Sequence, residues 1–258
     1  MSRPLIPAQR RKQIQEYLSI HRIARNTDLS QMLDASEATI RRDLEWLENE
    51  GLIQRTHGGA MLSQRLDSEA EYRLRAKSFS EEKHCIGEVA ASLVEDGDTI
   101  FINSGTTTTQ VIHHLRNSSG ITVVTNNLIA VLETGDVGYE LILLGGTFQH
   151  KSNSVAGLFA ITNLSQIYAN KVFIGVDGIN IKYGCTVPSI AEAELVRLMI
   201  ERTHGDIIVV ADHSKWGVIS NFEVAKIEQI HKLITDSRFE SGAQLALRSR
   251  SVEILFSE

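Results

Sequence analysis

The fold of the N-terminal part is decided by residues 36–60, SEATIRRDLEWLENEGLIQRTHGGA. Ser36 is a favourable N-cap, and the residues after it repeat apolar side chains with the period of an α-helix. At about 100° per residue, three apolar residues cluster on one face, namely Ile40, Leu44 and Leu47. Arg42 lies almost opposite this face and Arg41 lies at its flank. The pattern predicts a helix that packs through its apolar face and presents Arg42 outward.

Two shorter helical patterns precede this helix. The first follows Pro7, and the second follows two candidate caps, Asn26 and Thr27. Asp34 and Ala35 then interrupt the pattern. A short helix, a tight break and a second helix with Ser, Thr and Arg in its first two turns form the layout of a helix-turn-helix. In such a motif the second helix enters the DNA major groove.

A hairpin is predicted in residues 52–62, LIQRTHGGAML, where Gly58 and Gly59 can supply the positive φ of a tight turn. Arg55 and His57 would lie on this wing beside the DNA backbone, where contacts position a protein without reading sequence. The alternative is a solvated hairpin that contacts nothing.

The two adjacent arginines of the third helix are interpreted differently. Arg41 either forms an i,i+4 ion pair with Glu37 or Glu45, or contacts DNA. Arg42 faces away from the apolar stripe, so we expect it to contact DNA.

Length and composition indicate two domains that differ in charge. The chain has 258 residues, 42% of them hydrophobic, which is enough for a real core and exceeds one small domain. Residues 1–65 carry 10 Lys and Arg against 8 Asp and Glu, a charge of +2, and the remainder carries 16 against 24, a charge of −8. A mildly basic end on an acidic body is typical of a small nucleic-acid module joined to another domain.

The sequence contains no recognisable membrane or secretion signal. No apolar run approaches the roughly 18 residues needed to span a bilayer, and no signal-peptide pattern is present. We therefore expect a cytoplasmic protein. Cys85 and Cys185 are too few for a disulfide framework and have no neighbouring cysteine for metal binding, so each is interpreted as a buried or incidental thiol.

The N-terminal part resembles the DeoR/GlpR-type bacterial transcriptional regulators. The resemblance rests on the family's Ser-x-x-Thr-Ile-Arg-Arg-Asp-Leu run, a spaced glycine and an Arg-x-His-Gly-Gly-Ala wing, all present in residues 36–60. It implies a small winged helix-turn-helix over residues 1–62. Four residues would meet double-stranded operator DNA: Ser36, Thr39, Arg41 and Arg42. The acidic residues after them, among them Asp43 and Glu48, would occupy later positions, further from the polyanion.

The rest of the chain reads as a charged connector followed by an α/β domain. Residues 63–83 are highly charged and poor in branched apolar side chains, so they predict a solvated helical connector. Beyond it, amphipathic helical stretches such as TQVIHHL alternate with strand-like runs. These runs are DTIFIN, ITVVTNN, YELILLGG, KVFIGVDG, DIIVVADHS, HKLITDS and SVEILFSE. The alternation predicts a mostly parallel sheet, covered on both faces, over residues 84–258.

A polar loop, NSGTTTTQ at residues 103–110, follows the first of these strands and opens a helix. Gly105 permits close approach, and the helix N-terminus with the hydroxyls of Ser104 and residues 106–109 suits a phosphate group. The loop is neither a Walker motif nor a GxGxxG fingerprint, so a nucleotide triphosphate is not expected. Many helices that bind nothing also begin with Ser and Thr, which is the alternative.

Further polar groups follow other strands, at the carboxyl edge where open α/β sheets bind ligands. Lys215 is a natural countercharge for a phosphate, and Asn126 and Asp177 have the chemistry to hydrogen-bond sugar hydroxyls. Turn chemistry explains each residue taken alone, but together they favour a ligand site. The expected effector-binding residues are Ser104, Gly105, Thr106, Thr107, Thr108, Asn126, Gly146, Asp177 and Lys215.

The family resemblance extends over this second part, on SGTTT, TNN, LGG, KVFIGVDGI, GCT, AEAELVRLMI and VVADHSKWG. It implies a sensor domain that binds a phosphorylated sugar or related metabolite and has a fold similar to ribose-5-phosphate isomerase. Two residues depart from the family's pattern. Asn103 stands where many members have Asp, which bears on how the phosphate loop is braced, and Trp216 stands where Phe is more usual.

A sugar-phosphate isomerase with an accessory DNA-binding domain is the enzymatic alternative. Isomerases of this fold use a second aspartate in an Asp-Gly-x-Asp run, where this chain has Asn180, an amide that cannot take up a proton as a carboxylate does. Glu192 and Glu194 lie on an amphipathic helix, where simple solvation also explains them. His113 and His114 are adjacent on a helix and diverge, so no metal site is indicated.

The sequence therefore predicts a ligand-responsive transcriptional regulator, expected to be a repressor, with no catalytic residue, metal or cofactor. A purely architectural DNA-binding protein is disfavoured by the elaborate acidic second domain. We expect a homo-oligomer, either a dimer or a tetramer. The family resemblance implies it, and paired DNA half-sites usually match the two-fold symmetry axis of a protein oligomer. The effector would bind the DNA-incompetent arrangement more tightly, and the connector would transmit the change.

Overall fold

The computed structural model divides the chain into two compact units, Met1–Leu74 and Arg75–Glu258. The boundary between them falls within the predicted connector, residues 63–83. The residues described are 6–21, 23–50, 52–56, 58–62 and 64–258, without the side chains of 19, 20, 62 and 64–70.

The first unit contains three helices, a small sheet and most of a fourth helix that continues into the second unit. Its elements are α1 (Pro7–His21), β1 (Ile23–Arg25), α2 (Asn26–Met32), α3 (Glu37–Asn49), β2 (Ile53–Thr56) and β3 (Gly59–Leu62). The strands are antiparallel in the order β1-β3-β2. This is a winged helix-turn-helix, as predicted. The sequence analysis missed β1, because three residues are too few to show a strand period.

The core of the first unit confirms the predicted inward face of α3. Ile40, Leu44 and Leu47 are all buried, and they pack with buried residues of α1 and α2. Among these partners are Ile14 and Leu29. The apolar stripe of α3 is therefore the surface that holds the three helices together.

The start of α2 differs from the prediction. Its N-cap is Arg25, whose side chain makes no capping hydrogen bond, so the assignment of Asn26 or Thr27 as the cap is wrong. Arg25 is also the last residue of β1 and pairs with Gly59. Strand pairing therefore fixes where the helix begins, and the Asn26 amide donates to the Gly58 carbonyl at 2.8 Å.

Gly59 is required for a reason other than the predicted positive φ. A Cβ atom at this position would lie 1.9 Å from the carbonyl oxygen of Ala24 on the neighbouring strand. The close approach of β1 and β3 therefore excludes any side chain at residue 59.

The remaining elements build an α/β unit, which α4 enters from the first unit. The helices are α4 (Gln64–Lys77), α5 (Ser80–Ser92), α6 (Thr106–His114), α7 (Leu128–Thr134), α8 (Leu158–Leu164), α9 (Ile190–Glu201) and α10 (Ser241–Arg248). The strands are β4 (Thr99–Ile102), β5 (Thr122–Thr125), β6 (Glu140–Leu143), β7 (Thr147–Gln149), β8 (Ser154–Ala156), β9 (Ala169–Gly175), β10 (Gly178–Asn180), β11 (Gly184–Val187), β12 (Thr203–Val210), β13 (Phe222–Ala225), β14 (Lys232–Asp236) and β15 (Glu253–Ser257).

A seven-stranded sheet forms the centre of the second unit, in the order β15-β14-β12-β9-β4-β5-β6. Every neighbouring pair is parallel. Each of the seven predicted strand runs supplies one of these strands, so the predicted fold class is confirmed. The hairpin β7–β8 and the small sheet β10-β11-β13 were not predicted.

The strand order places a topological switch between β4 and β9. After β4 the chain continues to β5 and β6 on one side, and after β9 it continues to β12, β14 and β15 on the other. Open α/β sheets bind ligands in the crevice that such a reversal leaves at the carboxyl ends of the strands. The fold therefore directs attention to the loops after β4 and β9.

Both faces of the sheet are covered by apolar layers, as its parallel strands require. Successive residues of β4 alternate between them: Phe101 packs in one buried cluster, and Ile100 and Ile102 pack in the other. No helix in the described part of the chain is long and apolar enough to cross a membrane.

Candidate DNA interface and effector site

The first turn of α3 is fixed by the two hydroxyls that were predicted to meet DNA. Ser36 caps the helix, with its Oγ accepting from the Thr39 amide at 3.3 Å, and the two side-chain oxygens lie 2.9 Å apart. Ser36 is exposed and Thr39 is half-buried. Their contacts within the protein are those of a cap, and their contact with DNA stays a prediction.

The two arginines of α3 differ in their surroundings. Arg41 lies 3.6 Å from Glu37 in an i,i+4 ion pair, in which both side chains are exposed. Such a pair contributes only about 0.3–0.5 kcal/mol, which DNA phosphates readily outcompete. Arg42 is exposed and has no ion pair or side-chain hydrogen bond within the described residues. Among the residues that the structure describes, Arg42 is thus an unpaired cation on the outer face of α3.

The wing is held to α3 by an acidic residue. The Glu48 carboxylate accepts from the backbone amide of Arg55 at 3.1 Å and lies 3.7 Å from its guanidinium. Arg55 is exposed, with its charge partly compensated within the protein. The other predicted wing residue, His57, lies outside the described residues.

Asp43, which was expected to lie at a later position of α3, further from the DNA, also has a structural role. It is buried, and its carboxylate accepts from Arg10 Nε at 2.5 Å and from Arg11 Nε at 3.0 Å. The helical wheel contained this signal, because Asp43 lies only about 60° from Ile40 on the inward face. Asp43 therefore ties α3 to α1.

In the second unit, Asn103 bridges the two strands of the topological switch. Its Oδ1 accepts from the Gly175 amide at 2.7 Å, and its Nδ2 donates to the Gly175 carbonyl at 2.9 Å. A carboxylate could make only the first of these bonds. Asparagine at this position braces the phosphate loop through both functions of its amide.

The loop after β4 leads directly into α6, whose N-cap is Gly105. The hydroxyls of Thr108 and Thr109 both donate to the Gly105 carbonyl, at 3.1 and 2.8 Å. Thr108 is therefore engaged in closing the loop, although it was expected to bind the effector. Ser104 and Thr106 are half-buried and make no side-chain hydrogen bond within the described residues.

The first amides of α6 lack intrahelical partners by the geometry of any α-helix. Thr107, in the first turn of α6, is buried. A negative group at this helix end would also interact favourably with the helix dipole.

Two asparagines follow β5 and have different contacts. Asn127 caps α7 by accepting from the Ala130 amide at 3.1 Å. Asn126 is buried and donates to the Val155 carbonyl at 3.0 Å, which leaves its Oδ1 without a partner within the described residues. The predicted residue Asn126 thus has one structural bond and one unused acceptor.

Gly146 lies where the chain turns back toward the hairpin β7–β8. A Cβ atom there would lie 2.6 Å from the carbonyl oxygen of Ala156. Close packing of the hairpin accounts for this glycine, and its expected effector contact stays a prediction.

Lys215 and Asp177 follow β12 and β9, the strands on one side of the switch. Lys215 ends a short 3-10 turn, His213–Lys215, that Asp212 caps by accepting from the Ser214 amide at 3.0 Å. Lys215 and Asp177 are half-buried, and neither side chain has an ion pair within the described residues. Together with the α6 N-terminus, they lie at the carboxyl ends of adjacent strands.

Glu192, for which solvation was one explanation open from the sequence, is partly buried in the structure. It lies in the first turn of α9 and is half-buried. Burial raises the pKa of its carboxyl, and the neighbouring charge of Asp177 raises it further, while Ser152 and Arg75 act in the opposite direction. Glu194 is exposed, as expected. No local sequence pattern connects Glu192 with Asp177.

The C-terminal end of the predicted connector is not solvated. Lys83 is buried in α5, and its ammonium donates to the carbonyls of Arg75 and Ser78, each at 2.5 Å. Burial lowers the pKa of Lys83, partly offset by the charge of Asp212. Arg75 donates in turn to the carbonyl of Lys151 at 2.6 Å. The last turn of α4 is therefore fastened to the sensor unit.

The residues of the enzymatic and metal alternatives have structural roles. Asn180 Oδ1 accepts from the amide of Lys182 at 2.9 Å and braces the β10–β11 turn. Cys185 is buried, and burial raises the pKa of its thiol to about 12. Trp216 packs edge-on against Phe239, with ring centroids 5.3 Å apart. In the described residues no three His, Cys, Asp or Glu side chains are arranged to hold a metal.

Comparison with known families agrees with this architecture. Residues 10–65 match the family model of a DeoR-like helix-turn-helix domain, and residues 78–237 match that of a DeoR C terminal sensor domain. The chain belongs to the DeoR family. The protein is accordingly a transcriptional regulator, with its α/β unit in the position of the family's sensor domain.

Relatives of this DeoR-family regulator align over nearly their whole length. The HTH-type transcriptional repressor GlcR of Bacillus subtilis is 37% identical over 248 residues, covering 95% of this chain and 94% of the relative. The HTH-type transcriptional regulator GlpR of Haloferax volcanii is 31% identical, covering 97% and 98%. The repressor CsqR of Escherichia coli is 30% identical, covering 90% and 88%.

Among solved structures, the DeoR-family chain is similar to ribose 5-phosphate isomerase from Methanocaldococcus jannaschii. The identity is 15%, the coverage is 54% of this chain and 55% of the isomerase, and the TM-score is 0.40. A similarity this distant has no bearing on activity.

Proposed function

We propose that this DeoR-family regulator is a cytoplasmic repressor that binds operator DNA through α3 and the wing, and releases it when a phosphorylated sugar binds the sensor. The observation that carries the proposal is the meeting of three features at one sheet edge. These are the N-terminus of α6, the Lys215 ammonium and Asn126 Oδ1, of which the last two have no ion pair and no hydrogen-bond partner, respectively, in the described part of the chain.

The DNA part of the proposal rests on the charges of the first unit. Arg42 lies on the outer face of α3 without a protein partner among the described residues. Arg41 and Arg55 are exposed in weak pairs. We assign base or phosphate contacts to these residues and to Ser36, Thr39 and His57, because the N-terminal half of a recognition helix and the wing are the surfaces that meet DNA.

The effector part rests on complementary chemistry at the switch between β4 and β9. A phosphate at the start of α6 would accept from the amides of that helix and from Ser104 and Thr106, with Lys215 as the countercharge. The sugar would then lie toward Asn126 and Asp177. Gly105, Thr107, Thr108 and Gly146 shape the loops that enclose it.

The coupling part rests on the attachment of α4. Lys83 donates to the Arg75 carbonyl in the last turn of α4 and to the Ser78 carbonyl just after it, and the charge of Lys215 contributes to lowering the pKa of Lys83. A phosphate bound by Lys215 would change the electrostatic surroundings of Lys83 and hence the strength of the hydrogen bonds that Lys83 makes at the end of α4. The effector acts only if it binds the DNA-incompetent arrangement more tightly.

Relatives of this chain are named as transcriptional regulators, which supports a regulatory function rather than a sugar-phosphate isomerase activity. We further propose that residues 1–62 and 84–258 act as DNA-binding and sensor domains, joined by residues 63–83. A homo-oligomer, dimer or tetramer, would match two-fold operator half-sites.

The test is an operator-binding titration of the full chain with a panel of sugar phosphates and the corresponding free sugars. We expect at least one phosphate ester to release the operator and the free sugar to have no effect. A ligand at 100 times its Kd should also stabilise the sensor by about 2.7 kcal/mol. Release by the free sugar at the same concentration, or turnover of an aldose phosphate by the purified chain, would contradict the proposal.

A further inference from the structure

The break between α4 and α5 has an unusual backbone conformation. It consists of Ser78 and Phe79, and Phe79 has φ 53° and ψ 41°, in the left-handed region. A bulky residue rarely adopts these dihedrals, because its Cβ atom then lies too close to the following carbonyl oxygen. Such a conformation persists only where the surrounding contacts hold it. Right-handed dihedrals at Phe79 would allow the helix to continue, so this residue decides whether the helix is broken here.

Two side chains of the sensor unit hold the Phe79 ring. His213 packs edge-to-face against it, with ring centroids 4.9 Å apart, and the Arg238 guanidinium lies 5.2 Å from the ring centroid. Both partners are fixed by Asp236, which is buried. Its Oδ2 accepts from the His213 amide at 2.8 Å, and its Oδ1 accepts from the Arg238 amide at 3.1 Å. Arg238 also forms an ion pair with Glu82 of α5.

The backbone around Phe79 is held by Lys83. The Lys83 ammonium donates to the carbonyl of Arg75 in the last turn of α4 and to the carbonyl of Ser78 in the break. The Lys83 amide donates to the Phe79 carbonyl at 3.0 Å. Because none of these bonds involves the Phe79 side chain, we expect the unit to fold when the ring is removed.

His213 and Lys215 are the two ends of one short turn, the 3-10 turn after β12. Asp212 closes this turn by accepting from the Ser214 amide at 3.0 Å. Residues in a single hydrogen-bonded turn move largely together, because each dihedral change displaces the next residue. A group bound by Lys215 therefore acts, through this turn, on the residue that packs against Phe79.

We propose that Phe79 is the positioning residue that couples the effector site to α4. Its left-handed and right-handed conformations are the two arrangements of the α4–α5 break, and binding at Lys215 moves His213 and so changes the balance between them. The inference rests on the proposed function, because it takes the phosphate position at Lys215 and operator release as given. It supplies what such coupling requires, a two-state element that both sites bias.

Operator-binding titrations of the full chain test this inference, with aldose and ketose phosphates from triose to hexose as probes. The measured quantity is the release factor, which is the operator Kd at a saturating concentration of the probe that best releases the wild type, divided by the Kd without it. Phe79→Ala should still bind the operator and, by calorimetry, the sugar phosphate, but its release factor should be at least about fivefold smaller than that of the wild type. Phe79→Tyr keeps the ring and should keep the wild-type factor.

Tyr168→Ala is the matched control. The Tyr168 ring also contacts a histidine and an arginine, with its centroid 5.6 Å from that of His204 and 5.0 Å from the Arg202 guanidinium. It precedes β9, at the amino end of that strand, and should keep the wild-type release factor. Phe79→Gly is the second variant, because glycine removes the ring and tolerates left-handed dihedrals. Its release factor should fall as in Phe79→Ala.

Two results would overturn the inference and leave the proposed function standing. One is a wild-type release factor in folded Phe79→Ala or Phe79→Gly. The other is an equal decrease in Tyr168→Ala, which would mean that any loss of a surface aromatic ring weakens release. If none of the probes releases the wild-type chain from the operator, the proposed function itself fails, and this inference fails with it.

Discussion

Asn103 forms two hydrogen bonds with one residue, Gly175, on the strand across the topological switch. The side-chain oxygen accepts from the Gly175 amide and the side-chain nitrogen donates to the Gly175 carbonyl. Asn103 is buried, so neither bond has a ready replacement from solvent. The pair holds β4 and β9 together at the point where the phosphate loop begins.

Asn103→Asp should destabilise the sensor by about 1–3 kcal/mol, because an ionised carboxylate loses the donor and repels the Gly175 carbonyl. Calorimetry measures this loss as a decrease in the unfolding temperature of the second unit relative to the wild type. Asn163→Asp, an exposed asparagine on α8, is the matched control. Equal unfolding temperatures for both variants would show that the paired bonds do not brace the loop.

Arg42→Ala should weaken operator binding by about 1–3 kcal/mol without lowering the unfolding temperature, since Arg42 packs against nothing that folding requires. Fluorescence anisotropy with labelled operator measures the affinity. Ile40→Ala is the contrasting variant and should unfold the first unit, because it removes a buried side chain. Unchanged operator affinity in Arg42→Ala would remove Arg42 from the interface.

Asp43→Ala should destabilise the first unit by about 3 kcal/mol, because it leaves the guanidinium groups of Arg10 and Arg11 without their buried partner. Urea unfolding followed by circular dichroism measures this loss. Glu45→Ala on the exposed face of the same helix should be nearly neutral. A similar small effect for both substitutions would mean that the ion pairs with α1 contribute little.

The raised pKa of Glu192 predicts a pH-dependent stability. The folded sensor holds the Glu192 proton more tightly than the unfolded chain, whose ordinary pKa is 4.5. Stability from this group is therefore present at low pH and is lost as pH rises from that value through the raised folded pKa.

The amide of the Glu192→Gln variant cannot ionise. Below the window just described, the variant and the wild type should therefore unfold at the same temperature. As pH rises through the window, the unfolding temperature of the variant should increasingly exceed that of the wild type. Thermal unfolding between about pH 4 and pH 8 measures the difference. A difference that does not vary with pH would contradict this assignment.

The helices and strands that have a sustained apolar pattern could be predicted from the sequence, and so could the polar motifs at the ends of strands. All seven central strands were found, because each is an apolar run bounded by turn residues. The inward face of α3 and the outward position of Arg42 followed from helical geometry alone. Local patterns of this kind survive folding when tertiary contacts reinforce them.

What the sequence did not predict depends on contacts between distant residues. The wheel places Asp43 on the inward side of α3, but its partners are two arginines of α1 more than 30 positions away, which a wheel drawn for one helix does not include. The charge of Asp177, which follows β9, helps to raise the pKa of Glu192 on α9, and no local sequence pattern connects these two residues. Similarly, Lys83 is buried and donates to two backbone carbonyls, although its neighbours in sequence are charged.

The central claim is that a phosphate at the start of α6, neutralised by Lys215, releases the protein from DNA. Its most direct test is an operator-release titration of wild type, Lys215→Ala and the control Lys226→Ala, an exposed lysine after β13. We predict unchanged operator affinity without ligand in all three proteins. Lys215→Ala alone should need a roughly thirtyfold higher concentration of the releasing sugar phosphate, which corresponds to about 2 kcal/mol of lost charge-assisted bonding. Release of Lys215→Ala at the wild-type concentration would contradict the account.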